Sequence, residues 1–344
     1  MKILIFLFIF VSCHQSSKSN EEFNRINSVQ ETPSEDSFFD ETMYSDIDLL
    51  PLKGSVQNKN KLWSGNSWRL LEGAINLRWN SPDLIGFNYN SPSINEIFRM
   101  SKKDIEELSP TEKYDIYMGN YHFPLKQEVD SLARNGIYEW EGICHGWAAA
   151  TIHHDEPEPK TVINPDGIEV FFGSSDIKAL LSYAYSKVIL KESEIIGKRC
   201  GYTENEGLDF CLDDLNPASF HVVITNKIGL KGESVILDVD HFNEVWNHPI
   251  TDFETKVLKM YSSPEGRIGI FETTLEYVEV VEKNSWERQK TLYGQIKFNY
   301  KLEMDQDGNI RRGKWLSFNR PGFMWSLSEL KNLDDYLSGV TNLL

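Results

Sequence analysis

The sequence predicts an α+β chain, with helices in its first half and an antiparallel sheet in its second. Two observations carry that prediction. From about residue 93 to 190, apolar positions recur at helical spacing behind capping residues. After Pro217 they alternate at period two between Gly and Asp turns. The chain has 344 residues, of which 40% are hydrophobic, so a sizeable core is available.

The elements follow in order. Residues 1–12, "MKILIFLFIFVS", have one Lys, a short apolar run and a small residue before Cys13, the pattern of a secretory signal. The run is too short to span a bilayer as a stable helix. "FVSC" fits a bacterial lipoprotein signal with Cys13 as the lipidated first residue, the alternative being an ordinary signal peptide cleaved nearby. Residues 13–58 are polar and acidic and predict a disordered tether. The folded domain is then expected at 59–344, with a helical lobe over about 59–216 and a β lobe over about 217–335. Ser101 caps one helix, and Ser109-Pro110-Thr111-Glu112 opens another. "LKQEVDSLARNG" predicts a helix ending at Gly136, and "CHGWAAATIHH" one from Cys144. "SSDIKALLSYAYSKVI" predicts a third, capped by Ser174 or Ser175. "FHVVITNKIG" and "ESVILDVD" read as strands around a Lys-Gly turn, and "TLEYVEVVEKN" and "TLYGQIKFNYKLEMD" as two more. "DQDGN" (Asp305, Asp307, Asn309) reads as a hairpin turn before "IRRGKWLSF". A calcium loop would need an acid at position 316, where the chain has Leu.

Net charge is −17, from 52 acidic and 35 basic residues. That argues against nucleic acid, whose binding rests on a basic footprint, and against anionic lipid surfaces. Of four cysteines, Cys13 is assigned to lipid and Cys144 to chemistry. Cys200 and Cys211 flank the polar loop "GYTENEGLDF" and, in an exported protein, are expected to form a disulfide.

Cys144 stands where a helix begins, and a helix N-terminus stabilises a thiolate. His221 follows at a predicted strand start, and Asp238 ends the next strand. Cysteine, distant histidine, then carboxylate is the order used by thiol acyl-transfer enzymes: nucleophile, base and orienting group. Asp240, two residues on, and Asn247 remain alternatives for the third role. Gly142 and Gly146 would let a substrate backbone approach, and the Cys144 N–H would hold the oxyanion. Trp140, Trp147 and Trp246 would shield a thioester from water. His145, His153 and His154 lie near the cysteine, but no CxxC or HExxH spacing supports a metal site.

At these residues the chain resembles the elicitor-type transglutaminase family, known from oomycete cell-wall enzymes with bacterial relatives. The motifs are "GICHGWAAA", "CLDDLNPASFHVVITN", "EVWNHPITDF" as a surface segment, and "YKLEMDQDGNIRRGKWLSFNRPGFMW", and the likeness runs from about residue 60 to 330. It implies a papain-like fold and transglutaminase activity, with Cys144 as nucleophile, His221 as base and Asp238 as third member. Calcium is the cofactor it leaves open. His248 replaces Gln, and Thr251-Asp252 replace a basic residue and glycine, so plant recognition does not carry over. The implied function is a lipid-anchored protein-glutamine γ-glutamyltransferase of the bacterial cell envelope, monomeric, acting on a glutamine-containing protein and a primary amine. The rivals are a papain-like cysteine peptidase or deamidase, and a non-catalytic envelope binding protein. "GIYEWEG" before the cysteine lacks the oxyanion glutamine of papain-like peptidases.

Overall fold

Capping starts the helices where the sequence requires. In the computed structural model, Ser101 Oγ accepts from the Asp104 N–H at 3.2 Å while Asp104 accepts from the Ser101 N–H at 2.9 Å. Ser109 and Glu112 form the same reciprocal pair, with Pro110 in the first turn. The structure describes residues 43–81, 88–134, 138–197, 215–240, 244–282, 285–317, 319–327 and 332–344. The short helices α1 (Ile94–Ile97) and α2 (Lys102–Glu106) precede α3 (Pro110–Tyr117) and α4 (Pro124–Ala133). Then come α5 (Cys144–His153), the small hairpin β2 (Lys160–Ile163) and β3 (Glu169–Phe172), and the long helix α6 (Ser174–Glu192).

An eight-stranded antiparallel sheet follows. Its path is β4 (Ser193–Gly197), β10 (Phe323–Leu327), β5 (Ile236–Asp238), β6 (Asn247–Ser263), β7 (Gly266–Val278), β8 (Tyr293–Met304) and β9 (Ile310–Trp315). The eighth strand, β1 (Lys53–Ser55), pairs with β6 at Asp252–Glu254. Strand β6 joins the two halves of the sheet: it begins against β5, Asp238 opposite Asn247, and continues against β7 to Ser263. The core lies between this sheet and the layer of α5 and α6, both of which bury most of their residues. The "DQDGN" segment is a turn between β8 and β9, with Gly308 at φ +93°. The Asp305 carboxylate there accepts from the Asn309 N–H at 2.9 Å and from Arg311.

Four expectations need correction. The order of the folded part begins no later than Met43, not at 59. Met43, Ile47, Leu50 and Val56 are buried, and β1 adds to the sheet, so the acidic composition of the tether does not extend over 43–58. "FHVVITNKIG" is not a strand. It forms helix α7 (Pro217–Ile224), continued by a π-helical turn over Thr225–Lys231. Asn216 caps α7, its side chain accepting from the Ala218 N–H at 2.8 Å. All eight residues of α7 are buried, so burial on every side erased the periodicity that distinguishes helix from strand. The boundary between lobes at 216 also fails, because β4 belongs to the sheet and α7 is helical. Finally, "VWNHP" is not a surface segment: Val245, Asn247, His248 and Pro249 are buried at the start of β6.

Candidate active site

Cys144 is the first residue of α5 and is 5% exposed. Helix α5 can lie deep because Ala148, Ala149 and Ala150 let it close on its neighbours. Gly146 takes this furthest: a Cβ there would come within 1.9 Å of the Ser182 carbonyl oxygen on α6. A Cβ on Gly142 would meet the Ser67 carbonyl oxygen at 2.3 Å. Both glycines therefore admit the chain's own backbone, which corrects their assignment to substrate.

The thiol faces the start of β6. The Asn247 carboxamide nitrogen lies 3.7 Å from Sγ, and the Val245 carbonyl oxygen 3.8 Å away. On its other side the Asn247 oxygen accepts from the Trp325 indole N–H at 2.7 Å. Asp238, opposite Asn247 in the β5–β6 register, is fully buried. Its Oδ1 accepts the Trp246 N–H at 2.9 Å and the Asp240 N–H at 3.4 Å. Of the three expected third members, Asn247 thus touches the thiol, Asp238 stands beside it, and Asp240 is bonded to Asp238 through its backbone.

Burial pushes the Cys144 thiol up; the backbone and side-chain N–H groups of Asn247 and the backbone N–H of His145 oppose this, and the charge of Asp238 adds to it. The N–H groups at the helix start do not outweigh dehydration here, so the thiol is held above its ordinary range. Burial also pushes the neighbouring His145 down to about 4.

The structure does not bring His221 to Cys144. The imidazole is carried by α7 onto the inner face of β7 and β8, beside the Phe271 and Tyr300 rings. Its Nδ1 bonds the Tyr300 hydroxyl at 2.7 Å, which continues to Thr273 at 2.6 Å and on to Thr255 at 2.7 Å. Thr255 lies eight residues along β6 from Asn247, roughly 26 Å of strand at about 3.3 Å per residue. His221 is fully buried, its Nε2 has no hydrogen-bond partner among the described residues, and burial pushes it down to about 3. It is a neutral core histidine.

Of the three tryptophans, Trp246 is bonded to Asp238 in the site, through its backbone N–H. Trp147 is wholly buried and donates to the Trp63 carbonyl at 3.2 Å. Trp140 stacks on Tyr138 with centroids 5.9 Å apart. His153 stacks on Tyr185 and His154 bonds the Tyr185 hydroxyl at 3.0 Å, so both serve packing. No group of three or more His, Cys, Asp or Glu among the described residues is placed to hold a metal ion. Cys13, Cys200 and Cys211 lie outside the described residues. The sequence reading missed Trp325, although its motif "GFMW" was in view, because indole donors carry no spacing signature. His241 also went unassigned; it stands in the sequence between Asp238 and Asn247 and lies outside the described residues.

A buried helix starting at a cysteine, laid across a mixed-length antiparallel sheet, defines a helix-on-sheet fold organised about one thiol. The chain belongs to the transglutaminase elicitor family, whose family model matches residues 33–277. Its fold is similar to that of the GP42 transglutaminase from Phytophthora sojae, known from a crystal structure. The TM-score is 0.60 at 18% identity, over 89% of this chain and 94% of that one. No curated protein matches the chain.

Proposed function

We propose that the chain is a papain-like transglutaminase in which Cys144 is the nucleophile. The base takes the thiol proton, the thiolate attacks a glutamine carboxamide carbon, and that proton passes to the carboxamide nitrogen, which leaves as ammonia and a thioester remains. A primary amine then attacks, loses a proton to the base and releases the thiol, giving an isopeptide bond. The single observation that supports this reading is the thiol at the first turn of α5, faced by the Asn247 amide and flanked by Asp238. Asp238 is the third member in this reading, and Asn247 the donor at the sulfur. His221 is too far along the sheet to be the base. The sequence offers His241 instead, three residues after Asp238.

The protein is further proposed to be exported and held at the cell envelope by lipid on Cys13, with Cys200 and Cys211 joined as a disulfide. Its partners are a glutamine-containing protein and an amine donor; calcium is a condition of the test. A glutamine-containing protein and a labelled primary amine are incubated with the parent chain and with Cys144→Ala, His241→Ala and Asp238→Asn, with calcium or chelator. Label transfer by the parent and its loss in Cys144→Ala is the expected result. Transfer surviving that substitution overturns the proposal.

A second reading has one observation in its favour. Cys144 is 5% exposed and burial pushes its thiol up, which suits a family member that keeps the fold for binding. A folded parent chain whose Cys144 neither transfers nor hydrolyses would support it.

A further inference from the structure

We infer that Trp325 is a positioning residue for Cys144: its indole N–H locks the Asn247 carboxamide so that the amide nitrogen, not the oxygen, faces the sulfur. This rests on the reading of Cys144 as nucleophile. A carboxamide has two ends of nearly equal shape and opposite polarity, and nothing intrinsic chooses between them. An indole N–H only donates, so it selects the oxygen. The Trp325 nitrogen stands 2.7 Å from the Asn247 oxygen, which leaves the amide nitrogen 3.7 Å from Sγ. A donor at that place favours a thiolate; the flipped amide would present its oxygen and disfavour it. One proton on Trp325 therefore sets the polarity met by the nucleophile.

The frame is rigid enough for this. Trp325 lies opposite Ile236 and Asn247 opposite Asp238, so both hang from the same three-residue strand, β5. Trp325 is 2% exposed and Asn247 1% exposed. The indole also borders a cavity of about 710 Å³ that it shares with Ile152, Ile236 and Leu327. A smaller ring at 325 enlarges this cavity and lowers stability, so the melt of each variant is taken beside its alkylation. Around the thiol, β5 contributes the charge of Asp238, β6 the carboxamide of Asn247, the segment before β6 the Val245 carbonyl, and α5 the His145 N–H and an imidazole pushed down to about 4.

The test follows alkylation of Cys144 by iodoacetamide, peptide by peptide in the mass spectrometer, from about pH 6 to about pH 10. It uses the full chain without substrate, so the failure of this inference and of the transferase reading are seen separately. Trp325→Phe removes the donor and keeps the aromatic bulk. It should lower the alkylation rate about tenfold at a fixed pH below the midpoint, equivalent to a rise of about one pH unit in that midpoint. Asn247→Ala should give a like shift, and the double variant no more than either alone. Trp325→His, which keeps a ring N–H, should stay near the parent midpoint and serves if the Phe variant does not fold. An unshifted Trp325→Phe with a native melt, equal shifts in Phe and His, or additive shifts in the double variant would each overturn the inference.

Discussion

At Cys144 two requirements oppose each other. A nucleophile needs a thiolate, while the sulfur of a residue only 5% exposed, beside a buried carboxylate, resists ionisation. The Asn247 donors offset part of that cost, and an imidazole that protonates as the sulfur ionises would offset more. His221 does not meet that need. Its hydrogen bond to Tyr300 and its contact with Phe271 place it in a buried hydroxyl chain that binds α7 to the sheet. His221→Gln should therefore leave amine incorporation within about threefold of the parent, under about 1 kcal/mol in the barrier. It should lower stability by about 1–3 kcal/mol, because Tyr300 loses one of its two buried hydrogen-bond partners. Initial rates and urea melts measure the two effects. A rate loss of about a thousandfold with an unchanged melt would return His221 to the catalytic role.

Helices α5 and α6 meet through glycine. A methyl group on Gly146 would strike the Ser182 carbonyl at 1.9 Å, and a carbonyl in α6 cannot move without the helix. Gly146→Ala should therefore destabilise by about 1–3 kcal/mol, despite the roughly 1 kcal/mol that alanine brings to an exposed helix. A urea midpoint that rises instead would show room at the crossing. The elements that sequence made legible are those with local signals: the Ser101 and Ser109 caps, the cysteine helix, the Asp-Gly turn. Cys144 and Asp238 could be placed by the same local signals, at a helix start and a strand end. Helix α7 was not legible, since Val222, Val223 and Ile224 favour strands and burial on every face removed the alternation test. Without β6 read as a strand, the register that sets Asn247 opposite Asp238 was out of reach, and so was Trp325 beyond it.

Across the whole molecule, buried and half-buried histidines tie folding to pH. Burial pushes His145, His153 and His248 down to about 4 and His221 to about 3, from an ordinary 6.5. Above pH 6.5 they are neutral folded or unfolded and cost nothing. As pH falls toward 4, the unfolded chain takes up protons that the folded chain refuses, so stability drops. Asp115, which burial pushes up to about 7, works the other way, because the folded chain holds its proton until about pH 7. Burial raises Asp176 and Glu279 as well, in the same opposing sense. With four histidines against these acids, the expected loss is on the order of 1–3 kcal/mol per pH unit below 6.5. Urea midpoints at pH 7, 6 and 5 should fall steadily; a flat profile would mean that the histidines are wetter than the structure has them. The same molecule-wide view explains the N-terminal boundary. Residues 43–56 look like tether by composition, yet close the sheet through β1 and fill the core through Met43, Ile47 and Leu50, contacts to residues more than 180 positions away. The central claim, that this fold exists to carry an acyl group on Cys144, is tested most directly by trapping that group. The chain is mixed with a glutamine-containing peptide without amine, quenched in acid and digested for mass spectrometry. The account predicts that the Cys144 peptide gains the mass of the added peptide less one ammonia, and that Asn247→Ala gains less. A Cys144 peptide that stays unmodified, while the glutamine peptide is cleaved, deamidated by another residue or left intact, would contradict it.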